Sequence, residues 1–346
     1  MLVAAVAGSV SRAPVELAGA VPRRAGKRAV ARPVWNADRF GPSFAEQAGI
    51  LARRGPGGAT TTTRALTRPG ARTRWLFATT TSEVTLSCAH GVTDPIQYFY
   101  DRLADDYHLL FTDWPAAIRW QASVLDRLIR REQPLEQRPT ILDCACGIGT
   151  QALGLALLGH SVHGTDISPV AVERARYEAA KLGVAVTFGL ADMRTLDRDV
   201  GRVFDVVLAF DNSLPHLLDR ADMQLAAHAI RRTLRPGGLF LASTRDYDAL
   251  LAQRPHVEMP RVIDGRDGRR IVFQVWDWVA GGDAYTMHQF ILVQAGGTWR
   301  TLHAEGRYRA TRRSELTDLL QREGFGSVRW DEPVDSGYYQ PVVIAT

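Results

Sequence analysis

Between residues 139 and 244 the chain changes its hydrophobic period repeatedly, and this constrains the fold more than any single motif. Short apolar runs of strand length, TILDCA, SVHGTDI, VAVTFGL, FDVVLAF and GGLFLAST, alternate with amphipathic runs of helical length. The helical runs cover Thr150–Leu158, Pro169–Leu182 and the neighbourhood of Ala221–Leu234. Strands separated by helices require right-handed crossovers, so the segment predicts an α/β fold with a doubly wound, mostly parallel sheet and helices on both faces. Ligands of such sheets bind outside the carboxyl ends of the strands, where the strand order reverses. Four of these strands end on an acid: Asp143, Asp166, Asp192 and Asp211, the last followed by Asn212.

The flanks read differently. DPIQYFYDRLADDYHLLFTDW and PAAIRWQASVLDRLIRRE carry apolar residues at helical spacing, with Pro115 suited to a first turn, and predict two helices before the sheet. After Thr244 the pattern becomes long, alternating and aromatic: RRIVFQVWDWV, AYTMHQFILVQ and TWRTLHAEGRYRA, with GRDGR, AGGD and AGG as turns. This predicts an antiparallel meander. A helix, RRSELTDLLQREG, closed by Gly324, and the strands SVRWDE and YYQPVVIAT follow. The expected organisation is a helical lid at 94–138, a ligand-binding core at 139–244, an antiparallel insertion at 245–310 and a closing helix with strands at 311–346.

Residues 1–93 hold 13 Lys and Arg against 4 Asp and Glu. Of the chain's 42 basic and 37 acidic residues, 29 and 33 therefore remain, and residues 94–346 carry net −4. The first 93 residues show no sustained period and are rich in Pro, Gly and Arg, so they are expected to be a disordered basic extension that the folded part does not require. An arm for nucleic acid and an Arg-rich transit peptide are the functional readings of that composition. No run of about 18 apolar residues is present, so no membrane partner is expected. Three cysteines, Cys88, Cys144 and Cys146, form neither a paired framework nor a C-x-x-C, which points to a reducing, cytoplasmic setting and away from structural zinc.

The stretch ILDCACGIGTQALG, residues 141–154, carries the chemistry. Gly147, Gly149 and Ala152 fit a G-x-G-x-x-A spacing, which lets backbone approach a ligand at a helix N-terminus and by itself leaves a dinucleotide oxidoreductase open. Asp143 argues otherwise: a carboxylate beside the loop repels a diphosphate and suits a cationic or amino-acid-bearing ligand. Asp166, about 20 residues past the loop, is placed to accept both hydroxyls of a ribose. ADM at 191–193 and LRPGG at 234–238 are not required by the dinucleotide pattern.

Taken in order, ILDCACGIG, TDIS, ADM, FDVVLAFDNSLPHL and LRPGGLFL resemble the five motifs of the class I S-adenosylmethionine-dependent methyltransferases, over about residues 94–346. The resemblance implies a Rossmann-like sheet and S-adenosyl-L-methionine as cofactor. It also implies that Asp143, Ala145, Gly147 and Gly149 surround the methionine part, Asp166 and Ile167 the ribose, Asp192 and Met193 the adenine, with Asp211 at the same edge. NSLPHL, STRDYDALL, the aromatic insertion and GYYQPVVIA are similar to the glycine/sarcosine N-methyltransferase group. That likeness implies a small-molecule acceptor, the amine of glycine, sarcosine or a similar amino acid, with Arg245 on its carboxylate.

By the same likeness Asn212, Ser213 and His216 line the methyl-transfer side, and Tyr107 or His108 closes over it, with His216 or Tyr107 as proton acceptor. Each residue also has a plainer reading. Arg245 could pair with Asp246 or Asp248, His216 could be a structural histidine, and Trp276, Trp278, Phe273 and Phe290 read as core of the insertion. The segment DDYHLLFTDWP looks more like the lid of bacterial small-molecule methyltransferases, which leaves the exact acceptor and a homo-oligomer open. Displacement at a sulfonium needs neither metal nor covalent enzyme intermediate. A methyltransferase for another small metabolite and a non-catalytic binder of the cofactor are the competing readings. A nucleic-acid enzyme would show an N/D-P-P-aromatic stretch where DNSLPH stands, so no nucleic-acid partner is expected.

Overall fold

The computed structural model describes residues 94–133, 138–265 and 268–346. The expectation of disorder for residues 1–93 lies outside them. The described residues begin with α1 (Pro95–Leu103), a 3-10 turn (Tyr107–Leu110) and α2 (Trp114–Glu132). Asp94 and Asp113 cap the two helices, accepting hydrogen bonds from the backbone of Ile96 and Ala116 at 2.8 Å, and each helix has a proline in its first turn. The first helical stretch of the sequence is thus two pieces. The chain turns at Ala104–Asp106 so that Phe99 and Leu103 on one side, and Leu109 and Leu110 on the other, reach the same core.

The core alternates β1 (Thr140–Asp143), α3 (Thr150–Leu157), β2 (Ser161–Asp166), α4 (Pro169–Leu182), β3 (Val186–Leu190), α5 (Leu196–Val200), β4 (Phe204–Ala209), α6 (Arg220–Thr233) and β5 (Leu234–Ser243). Then come α7 (Tyr247–Gln253), the strands β6 (Val257–Gly265), β7 (Gly268–Trp278), β8 (Ala284–Ala295) and β9 (Thr298–Arg309), and α8 (Arg313–Arg322), β10 (Val328–Asp331), α9 (Pro333–Ser336) and β11 (Val342–Ala345).

Seven strands form one sheet in the order β10-β11-β5-β4-β1-β2-β3. β1 to β5 are parallel, and β11 runs antiparallel to both its neighbours. The strand order reverses between β1 and β4, which is where the acid-ended strands open a crevice. One face is covered by α2 and α3, whose Leu125, Ile129 and Leu155 pack with Ile141, Val206 and Leu241. The other is covered by α6 and α8, whose Ala226, Ile230 and Leu320 meet Leu142, Val207 and Val343. Burial on both faces explains why these strands read as continuous apolar runs.

β6 to β9 form a separate antiparallel sheet in sequential order. Its inner face, including Trp276, Tyr285, Met287 and Tyr308, packs on α1 and the 3-10 turn. β6 escapes the sequence reading because Pro260 interrupts it; the register shifts between Glu258 and Arg261, and an edge position tolerates both. Phe273 and Phe290 are a further correction. They stack at 4.9 Å on the outer, half-exposed face, since each alternates with the buried Val272, Gln274, Gln289 and Ile291.

Candidate active site

The loop after β1 is set by short-range geometry. Gly147 and Gly149 adopt positive φ, +51° and +94°, in the left-handed region that disfavours other residues. Cys144 N–H donates to the carbonyl of Leu208 and Cys146 N–H to that of Thr165, so the loop is stitched to β4 and to β2. Asp166 completes the seam: its carboxylate accepts from Gly147 N–H at 2.8 Å and from Ser168 N–H at 2.9 Å. The thiols of Cys144 and Cys146 are buried, and that burial raises their pKa, so they pack rather than react.

Above this loop lies an open cavity of about 770 Å³. Ala145, Gly147, Asp166, Ile167, Asp192, Met193 and Asp211 all line it. Two residues expected there do not. Gly149 serves instead as the N-cap of α3. Asp143 is fully buried behind the loop, and neither of its carboxylate oxygens makes a good hydrogen bond. Burial, with the nearby charges of Asp166 and Asp211, pushes its pKa up to about 8 against the backbone N–H groups of Ala145 and Ala152. A strand-end side chain that points into the sheet's covered face cannot also line the crevice. Arg194 was not foreseen: it forks onto Asp192 and also binds Asp94 and Asp222 at 3.0 Å, fixing the adjoining wall.

The end of β4 is strained. Asp211 and Asn212 both have positive φ, 56° and 69°, at positions where glycine would be the relaxed choice. Asp211 receives hydrogen bonds from Tyr338, Tyr339 and the amide of Gln151. Asn212 Oδ1 accepts from Arg245 N–H at 3.0 Å and Tyr247 O–H at 2.9 Å. Because the backbone N–H can only donate, the amide orientation is fixed and Nδ2, which is buried without a partner, is left facing away from these donors.

Asn212 lines a second cavity of about 720 Å³, together with Arg245, Glu258, Gln274 and Tyr308. Tyr100, Tyr107 and Asp211 line both cavities, so the two adjoin. Arg245 does not pair with Asp246 or Asp248, which bind Arg313 and Arg312. Its guanidinium donates to Tyr285 Oη and Gln274 Oε1 at 2.9 Å and lies 4.7 Å from the ring of Trp276 and 5.6 Å from that of Tyr308. No carboxylate stands within ion-pair distance of it among the described residues. Tyr107 makes no hydrogen bond through its hydroxyl among those residues, and His108 does not line either cavity.

His216 lines the first cavity but is held on both ring nitrogens, by Tyr100 Oη at 2.8 Å and the Arg307 carbonyl at 3.2 Å. A carbonyl can only accept, so Nδ1 carries the proton and Nε2 takes the phenol's hydrogen. Burial drives its pKa down to about 3, against the Arg307 carbonyl and with the Arg245 charge adding to the effect. A proton-accepting role for His216 therefore does not suit its surroundings; the ring orients Tyr100.

Residues 141–238 match the family model described as "Methyltransferase domain". Among curated proteins, the chain is 32% identical over 155 residues to glycine/sarcosine N-methyltransferase of Parasynechococcus marenigrum, covering 44% of this chain and 55% of that protein. It is 38% identical over 104 residues to ubiquinone biosynthesis O-methyltransferase of Methylocella silvestris, covering 30% and 39%. The chain thus spans about half or less of the length of the curated relatives it matches. Among solved structures, the SAM-bound amino pentose methyltransferase CalS10 of Micromonospora echinaspora aligns with TM-score 0.53 and 21% identity, over 66% of this chain and 91% of that one. The ordered motifs, the sheet topology and these similarities converge: residues 141–238 match a methyltransferase domain, and the described residues have the fold of the class I S-adenosylmethionine-dependent methyltransferases.

Proposed function

We propose that the protein transfers a methyl group from S-adenosylmethionine to the amine of a small amino acid, glycine or sarcosine in kind. One observation carries the reading. A guanidinium, Arg245, meets only neutral hydrogen-bond partners within the described residues and stands on the wall of a cavity adjoining the cofactor cavity. Glu258 on the same wall acts on it electrostatically without an ion pair among the described residues, so the fork is left for an incoming anion, and a carboxylate is the anion it fits. The unpartnered Nδ2 of Asn212 adds a neutral donor on the same wall.

The first cavity fits the cofactor by its donors and acceptors. Backbone from Ala145 to Gly147 allows close approach, Asp166 keeps lone pairs for ribose hydroxyls beyond its two backbone bonds, and Ile96, Met193 and Leu217 offer apolar surface to a base. Bound there, the cofactor would supply a methyl group on a sulfonium, open to in-line displacement. The chain's own part is then positioning, which can save roughly 7–11 kcal/mol when reactants are aligned. Tyr100 and Tyr107 line the junction of the cavities, and the positive charge of Arg245 on the acceptor's wall disfavours a second cation there, which favours the neutral, nucleophilic amine.

A larger small-molecule acceptor is the second reading. The second cavity carries polar groups beyond those a glycine would engage, at Glu258, Arg261 and Gln289. The test offers the full chain labelled S-adenosylmethionine with glycine, sarcosine, dimethylglycine, larger amino acids and phenols. Transfer to glycine or sarcosine that is lost in Arg245→Ala while cofactor binding persists is the expected result. Transfer only to larger acceptors selects the second reading. Cofactor binding with no transfer to any of them would leave a non-catalytic binder.

A further inference from the structure

The outer face of the four-stranded sheet carries a cluster that methyl transfer does not use. His288 on β8 stands opposite Glu305 on β9, and Phe290 opposite His303, so both histidines and the glutamate share one face. His288 Nδ1 is 3.1 Å from His303 Nε2 and 3.5 Å from Glu305 Oε2. All three ligand atoms lie within 4.8 Å of one another. Around a tetrahedral zinc-type ion with bonds of about 2.0–2.1 Å, neighbouring ligand atoms stand about 3.4 Å apart. Two of the three edges, those from His288, are thus already close to the required length, and the third lies within 4.8 Å.

The surroundings orient them. Asp277 Oδ2 on β7 lies 3.1 Å from His288 Nε2, and a carboxylate there selects the Nε2–H tautomer and turns the Nδ1 lone pair toward His303 and Glu305. The His303 ring is stacked between Phe290 at 4.7 Å and His288 at 5.3 Å. Two imidazoles with a carboxylate suit a first-row transition ion, whereas calcium and magnesium prefer all-oxygen sets. We propose that His288, His303 and Glu305, with Asp277 behind His288, bind a divalent transition-metal ion of the zinc type, leaving a fourth position to water. The proton shared between the two imidazoles is what the ion displaces. This site is independent of the methyl-transfer reading.

The test is calorimetric titration of the tag-free full chain with Zn²⁺, beside Mg²⁺ and Ca²⁺. One equivalent of Zn²⁺ should bind, with no response to the other two, and Co²⁺ should give the intense visible bands of four-coordination. Asp277→Asn should weaken binding about 10–100-fold, and His303→Gln, an exposed and conservative change, should abolish it in a chain whose circular dichroism is unaltered. Failure of Zn²⁺ to bind, or binding that survives His288→Ala with His303→Gln, would overturn the proposal.

Discussion

The two adjoining cavities are built by opposite means. The first is walled mainly by residues that end or directly follow parallel strands, Cys144 to Ile148, Asp166 and Ile167, Ala191 to Arg194, and Phe210, Asp211 and Ser213. The second takes its wall from α1, the 3-10 turn, the end of β4, the antiparallel sheet and the stretch before β11. A wall built on strand ends is tied to the sheet that carries them. A wall that draws on the first helix, the 3-10 turn and the antiparallel sheet can change by substitution without disturbing the parallel strands.

If that division is real, substitutions should separate the two ligands. The largest effect is expected at Arg245→Ala: losing a partly buried charge partner of a carboxylate costs about 2–5 kcal/mol, some thirtyfold to several thousandfold in kcat/KM. Cofactor affinity measured by calorimetry should be unchanged, and a parallel loss of it would break the comparison. Asp166→Ala should do the reverse, weakening cofactor binding about 10–100-fold through lost charged hydrogen bonds. Its effect on acceptor KM, read at saturating cofactor, should be small.

Gly154→Ala touches neither cavity. An added Cβ would stand 2.5 Å from the Ile118 carbonyl and 2.7 Å from Ala122 Cβ, where α2 crosses α3. Overpacking of this kind costs about 1–3 kcal/mol in stability, readable as a lower urea midpoint. Both affinities of the folded fraction should stay as they were. The effect at His216 is one of slope, invisible at neutral pH. The unfolded chain takes up a proton near pH 6.5 that the native ring refuses until about pH 3, so wild-type stability falls as pH drops through that window. His216→Gln should show a shallower fall between pH 6.5 and 4, and an equal slope would show that His216 is not buried neutral.

The same division explains what could be read from sequence. The period changes of 139–244, the positive-φ glycines and the acids that close the strands are local features, so the doubly wound sheet and the cofactor motifs were legible in order. Arg194 and the inward turn of Asp143 were not, because both depend on which face of a strand end or turn meets the covered side of the sheet. β6 was missed at Pro260, and the outward stacking of Phe273 and Phe290 was hidden because an aromatic side chain reads as core wherever it lies. Arg245 was found by likeness alone; its setting between Trp276 and Tyr308 depends on residues 31 and 63 positions away.

The 3-10 turn that carries Tyr107 is clamped from the sheet side, with Arg270 donating to the carbonyls of Leu109 and Phe111 and Arg261 to that of Leu110. Since Tyr107 lines both cavities, a ligand in one meets a side chain that a ligand in the other also meets. Steady-state turnover should therefore follow a compulsory order of addition and release. Product-inhibition patterns would reveal that order without any change to the chain.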